Sequence, residues 1–258
     1  MNENHFKFSL SVVVLPLLFV LAIWMVYWFE IRFGFDLTEF GVYPRSFEGL
    51  RGVVLSPFLH GSVEHLYSNT IPAFLLIAAL RYFYRDNFWQ VLLYGILCSG
   101  ILTWIIARES YHIGASGLIY VLVSYIFFKG IRSQYYRLVA LSLVIIMVYG
   151  GMIWYVFPDI EEGISWEGHL AGLVTGLVMA VIFKTPDYKK FIKYDWERPD
   201  YNPVGDKFME RFDENGNFVN APKPEIIEPL VESNPFQNTT SGKGFQIVYH
   251  FRNDEKLE

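Results

Sequence analysis

The chain is cut into long apolar runs separated by short charged loops, and this pattern leaves it few possible folds. Crossing roughly 30 Å of hydrocarbon takes about twenty helical residues. Leu10–Phe29, Phe88–Ala107 and Leu138–Phe157 meet that length, and the first carries no charge. His65–Leu80, Gly114–Phe128 and Gly168–Phe183 are apolar but shorter. In lipid each backbone N–H and C=O must be satisfied inside the protein, so isolated runs of this kind predict helices. The expected architecture is an all-α polytopic membrane protein, a six-helix bundle over residues 10–184 with residues 1–9 before it and 185–258 after it. Leu10–Phe29 is too long for a signal peptide and lacks a small-residue cleavage site, so it is read as retained. Pro72 has no N–H to give its helix, which predicts a kink or an early break in the second span.

Charge sorts the loops. Arg81 and Arg85 follow the second span, Lys129, Arg132 and Arg137 follow the fourth, and Lys184, Lys189, Lys190 and Lys193 follow the sixth. The loop 158–167 holds Asp159, Glu161, Glu162 and Glu167 with no cation. The positive-inside rule then places both termini in the cytoplasm and this acidic loop outside, with a bacterial plasma membrane as the expected location. A net charge of −5 without a basic face excludes nucleic acid as a partner. The lone Cys98 cannot pair within the chain, and no Cys-rich metal site exists. Residues 185–258, rich in Pro, Asn and charge, read as a mostly disordered cytoplasmic tail. Within it Phe245–Phe251 could form a short strand or docking segment.

The three short spans carry the chemistry. Sixteen helical residues reach only about 24 Å, so their ends must sink below the surface behind longer neighbours. Those outer ends bear His65 and Asn69, then Ser116, then His169. Polar groups at bilayer depth are costly unless they face protein or a water-filled cavity, which marks them as functional candidates. Ser116 opens a helix in Gly114-Ala115-Ser116-Gly117, where small neighbours admit a substrate backbone and the helix N-terminus favours negative charge. His169 opens another, with Gly168, Gly172 and Gly176 forming one smooth face for close packing. If those helices meet, the imidazole can act as base toward the hydroxyl. The plainer reading is that small residues pack helices and a lone histidine anchors a helix end.

His60, His65 and Asn69 form a third group, and His65 and Asn69 at i and i+4 share a face that could donate to one oxyanion. A metal held by His60, His65, His112 and His169 is a competing reading, disfavoured because no His-Glu-x-x-His occurs; no cofactor or metal is expected. Tyr120, one turn after Ser116, could stack on His169. His112, in the outer loop just before the serine, reads as a solvated loop histidine ranked below His65.

Taken together, His60-x4-His65-x3-Asn69, Gly114-Ala115-Ser116-Gly117 and His169-x2-Gly172-x3-Gly176, in this order on spans two, four and six, closely resemble the rhomboid family of intramembrane serine proteases. The resemblance implies Ser116 as nucleophile and His169 as general base, a dyad without a carboxylate. It also implies an oxyanion hole from His65, Asn69 and the Ser116 N–H, with Tyr120 packed on the catalytic histidine. Gly117 and His60 would support the site. The implied partners are the lipid bilayer and membrane-anchored proteins, cut in or near their transmembrane segments through an acyl-enzyme. There are two departures. The family's Trp-Arg pair is replaced by Leu50-Arg51-Gly52, and Val121 stands where a small residue is usual, implying looser packing between spans four and six. The alternative from another class is an inactive rhomboid-like protein that binds transmembrane helices, whose function would survive Ser116→Ala.

Overall fold

A computed structural model describes residues 6–158, 160, 163–184, 194–202, 205–206 and 208–220. The chain divides into two units, Met1–Phe191 and Ile192–Glu258. Among the described residues of the first there are seven α-helices: α1 (Ser11–Phe33), the short α2 (Gly52–Leu55), α3 (Val63–Phe83), α4 (Phe88–Ile106), α5 (Ser116–Ser133), α6 (Tyr136–Tyr149) and α7 (Trp166–Ile182). No strand forms among the described residues, only isolated bridges such as Val42 with His112. Four segments, Ser11–Phe33, Val63–Phe83, Arg85–Ile106 and Tyr136–Val156, are long and apolar enough to cross a membrane, and Trp166–Ile182 is a shorter apolar helix. This is a polytopic helical membrane protein.

Helix α5 sits at the centre and packs against α3, α4, α6 and α7. Its buried residues, among them Leu118, Tyr120, Val121, Leu122, Tyr125 and Ile126, point in every direction round the axis, as expected of a helix enclosed by others. Leu76, Leu80, Phe88, Val91, Leu138 and Ala180 from the neighbouring helices complete the same core. By contrast α1 buries only Val12, Pro16 and Ile23.

Two expectations about the spans need correcting. The second span is not short: α3 has 21 residues and runs unbroken through Pro72. Its first turn begins early because the Ser62 hydroxyl accepts the His65 N–H at 3.1 Å, an N-cap that satisfies one orphan donor. Pro72 leaves the Ser68 carbonyl without its helical donor, but Ser68 and Pro72 both line a cavity, where such a group is tolerated. The fifth span is not one α-helix. After Tyr149 the chain tightens into a 3-10 helix, Gly150–Val156, beginning at Gly150-Gly151.

In the second unit, short 3-10 turns lie at Asp195–Glu197 and Met209–Arg211. Phe212 and Phe218 form a bridge across a turn in which the Asp213 carboxylate accepts the N–H groups of Asn215 and Asn217 at 2.9 and 2.8 Å. The expected Phe245–Phe251 segment and most of the expected disordered tail lie outside the described residues, as do Lys189, Lys190, Lys193, Asp159, Glu161 and Glu162.

Candidate active site

Ser116 is the first residue of α5, and His169 lies in the first turn of α7. The two helices cross backbone against backbone. A Cβ added at Gly172 would stand 2.2 Å from the Gly117 carbonyl oxygen, and one at Gly176 would stand 2.3 Å from the Val121 carbonyl oxygen. Neither distance is possible for a real side chain, so glycine is required at both positions and the helices approach as closely as helices can. One turn further in, the Ser124 hydroxyl donates to the Leu173 carbonyl at 2.7 Å. Gly168 departs from the expected face, because its missing Cβ would lie 2.9 Å from Ser165 Oγ, in the cap of α7. Val121 does not loosen the contact either. It is fully buried, and its side chain packs against Gly95 of α4, where a Cβ would come within 3.0 Å.

His169 is buried, at 7 % exposure, and its ring is held from two directions. Nδ1 lies 2.9 Å from the Tyr155 carbonyl oxygen. A carbonyl only accepts, so Nδ1 carries the proton and the neutral ring keeps its lone pair on Nε2. Tyr120 stacks on the ring with centroids 4.3 Å apart and planes 17° from parallel, as expected from its place one turn below Ser116. The Tyr120 hydroxyl donates to the Met152 carbonyl at 2.6 Å. Tyr155 and Met152 both belong to the 3-10 helix that the sequence pattern hid inside an apparent span. The acceptors are backbone carbonyls, so no side-chain motif could have announced them.

Ser116, His169, Tyr120, His65 and Asn69 line one cavity of about 950 Å³, shared with Arg108, Tyr111, Met152 and Tyr155. Gly114 brings His65 to the nucleophile's loop. It adopts φ +110°, and a Cβ there would lie 2.6 Å from both Cε1 and Nε2 of the His65 ring. A side chain is therefore excluded twice, by backbone strain and by collision. Asn69 donates one amide proton to the His65 carbonyl at 2.9 Å, which orients the carboxamide on the same helix face. A carboxamide has a second proton to offer. His60 stands behind this pair and does not line the cavity. Its ring meets that of His65 edge-on at 5.1 Å, and its nitrogens make no well-formed hydrogen bond among the described residues, the Phe58 backbone offering only a weak polar contact. Burial, with the neighbouring His65 ring adding to it, pushes the His60 pKa down to about 4.

His112 is not a solvated loop histidine. It is 5 % exposed, with Nε2 3.0 Å from the Arg108 carbonyl and Nδ1 2.6 Å from Ser165 Oγ. Burial draws its pKa below the usual histidine value, a shift opposed by the bond to the Arg108 carbonyl and by Glu167. With both nitrogens occupied it is a poor metal ligand, and no group of three or more His, Cys, Asp or Glu able to hold a metal is gathered among the described residues. The departure at Leu50-Arg51-Gly52 leaves its loop anchored by other means. Arg51 donates to the Glu39 carbonyl at 3.1 Å and lies 4.4 Å from the Phe40 ring, while Trp104 Nε1 donates to the Ser46 carbonyl at 2.8 Å.

The family model of the rhomboid domain matches residues 48–186, a stretch that includes His65, Asn69, Ser116, Tyr120 and His169. An uncharacterised protein of Mycobacterium tuberculosis is 33 % identical over 182 residues, covering 67 % of this chain and 75 % of that one. A second uncharacterised protein, from Mycobacterium leprae, is 28 % identical over 162 residues, covering 60 % and 64 %. A protein of Acanthamoeba polyphaga mimivirus, named as a rhomboid protein, is 27 % identical over 140 residues, covering 52 % and 75 %.

Proposed function

The chain belongs to the rhomboid family, and from that premise we propose that it is an active intramembrane serine endopeptidase with Ser116 as nucleophile and His169 as general base. The observation that carries the reading is the 2.9 Å contact of His169 Nδ1 with the Tyr155 carbonyl, which sets the tautomer of the ring. With Nδ1–H given to the Tyr155 carbonyl, the basic lone pair is on Nε2, and the ring shares a cavity with the Ser116 hydroxyl. In the proposed reaction Nε2 takes the Ser116 proton as Oγ attacks the scissile carbonyl, then returns it to the leaving amine. The charge that develops on the carbonyl oxygen is met by His65, the free amide proton of Asn69 and the Ser116 N–H. That N–H lies in the first turn of α5, where the helix offers no acceptor of its own and its positive end favours an anion. Water entering the polar cavity then hydrolyses the acyl-enzyme with His169 as base.

The proposed substrates are membrane-anchored proteins cut in or near their transmembrane segments. Rhomboid proteins act on membrane proteins within the bilayer, and here the reactive groups lie on helices packed among membrane-spanning ones. Six spans with cytoplasmic termini, in a bacterial plasma membrane, fit the distribution of basic loops and the mycobacterial relatives. The test is cleavage of a single-span substrate in liposomes by the wild type and by Ser116→Ala, each with and without chelator. Cleavage by the wild type alone, indifferent to chelator, is expected. Equal cleavage by Ser116→Ala would remove Ser116 from the reaction, and loss with chelator would point to a metal.

A further inference from the structure

The loop that delivers Ser116 and the turn that delivers His169 are joined by polar contacts that neither dyad residue makes itself. On one side, His112 lies four residues before Ser116. On the other, Ser165 lies four residues before His169 and accepts the His169 backbone N–H with its carbonyl at 3.1 Å. His112 Nδ1 and Ser165 Oγ are 2.6 Å apart.

The direction of each bond in this chain is fixed. The Arg108 carbonyl can only accept, so His112 Nε2 donates to it at 3.0 Å. Nδ1 of the neutral ring therefore holds a lone pair, and the Ser165 hydroxyl donates into it. The same oxygen accepts the Gly168 N–H at 3.1 Å as the N-cap of α7. One hydroxyl thus caps the helix of the base and grips the loop of the nucleophile.

The His112 backbone is itself immobilised. Its N–H and C=O pair with Val42 at 2.9 and 3.0 Å, and the Gly114 N–H donates to the Ser56 carbonyl at 2.9 Å. Arg108 adds a second tie, donating Nη2 to the Ile164 carbonyl at 2.7 Å and its backbone N–H to the buried Glu167 carboxylate at 3.2 Å.

We propose that His112 and Ser165 are positioning residues for the dyad, their hydrogen bond fixing where the Ser116 loop stands relative to the His169 turn. The proposal rests on the assignment of Ser116 and His169 as the reacting pair. The arrangement matters because a reacting pair displaced by about 1 Å loses on the order of 100-fold in rate. Glycine contacts hold α5 and α7 together along their length, but they leave the loop before Ser116 to be placed by other groups.

The test uses the full chain in liposomes, reading kcat and KM on a single-span substrate, the rate of fluorophosphonate acylation at Ser116, and the thermal midpoint. His112→Phe keeps the ring and removes both nitrogens. His112→Asn returns a carbonyl oxygen near the place of Nδ1. Ser165→Ala removes cap and tie together, whereas Ser165→Gly keeps most of the stability of the helix start and has no hydroxyl to give Nδ1. His112→Phe is expected to lower kcat and acylation rate together by about 10–100-fold with KM unchanged. His112→Asn should recover most of that loss, and Ser165→Gly should be as slow as Ser165→Ala. The double variant His112→Phe, Ser165→Ala should be no slower than the worse single one.

Wild-type rates in His112→Phe, multiplying losses in the double variant, or full activity in Ser165→Gly would each overturn the proposal. If His112→Phe does not fold, Ser165→Gly and His112→Asn decide it alone. A wild type that is never acylated at Ser116 would instead overturn the assignment of the dyad.

Discussion

Helices α1 and α7 are both apolar, yet they are built for different tasks. The longer α1 leaves Leu18, Met25, Trp28 and Ile31 more than half exposed and packs chiefly against α3. Shorter α7 buries Glu167, His169 and Thr175 and presses Gly172 and Gly176 onto the backbone of α5. Without a hydrophobic drive between helices in lipid, association depends on close fit and buried hydrogen bonds. The first helix has two such side-chain bonds to α3, from Trp24 to Thr70 at 2.9 Å in its middle and from Arg81 to Ser11 at 3.0 Å at its start. The last is fastened along its whole length, by Ser165 and His169 at one end, Ser124 in the middle and Lys129 at the other. There Lys129 Nζ donates to the Ala180 carbonyl at 3.2 Å and also to the Phe183 carbonyl, a cation at a helix C-terminus. Apolar residues make a helix cross a membrane; small and polar ones decide where it stands.

This contrast can be broken at several points, beginning with the largest effect. His169→Phe keeps the stacked ring and removes the base, so turnover is expected to fall by about 100- to 10,000-fold while the thermal midpoint stays near wild type. An unchanged rate would sink the dyad. Asn69→Ala, which deletes one proposed oxyanion donor, is expected to cost roughly 10–1000-fold in kcat. Gly172→Val forces a side chain into the Gly117 carbonyl and should destabilise by about 1–3 kcal/mol or more, with activity lost in parallel. Trp24→Phe, on the loosely held helix, should cost about 1 kcal/mol or less and leave kcat unchanged. If Gly172→Val and Trp24→Phe proved equally mild in thermal unfolding, the distinction between the two helices would not hold.

Stability should also depend on pH. His60 is buried neutral, with its pKa pushed down to about 4 from the ordinary value of 6.5. Its contribution to stability is complete above about pH 6.5. It is lost as pH falls toward 4, because the unfolded chain takes up a proton that the folded one refuses. His112, lowered also by burial, acts with the same sign. The thermal midpoint should therefore drop between pH 7 and pH 5, and His60→Phe should flatten that drop. A steeper fall in the variant would contradict the assignment.

How much of this was readable in the chain follows from which groups do the work. The six apolar runs each contain a helix, and Ser116, His65, Asn69, Tyr120 and His169 meet around one cavity because their spacing sets helix faces. The length of α3 was misjudged because hydropathy ends where polar residues begin, and helices do not. Ser62 caps α3 at one end, and at the other Arg81 turns to donate to Ser11 at 3.0 Å. The partners of His169 and Tyr120 were invisible for a different reason. They are main-chain carbonyls of Tyr155 and Met152, and every residue has one. His112 and Ser165 belong to loops 53 residues apart, with no periodicity to connect them.

The most direct measurement of the central claim is fluorophosphonate labelling of the full chain, with the modified peptide mapped by mass spectrometry. The wild type should carry one label, on Ser116; Ser116→Ala should carry none, and His169→Phe should label far more slowly. A label on another residue, or on Ser116→Ala as readily as on the wild type, would contradict the assignment of Ser116 as the nucleophile.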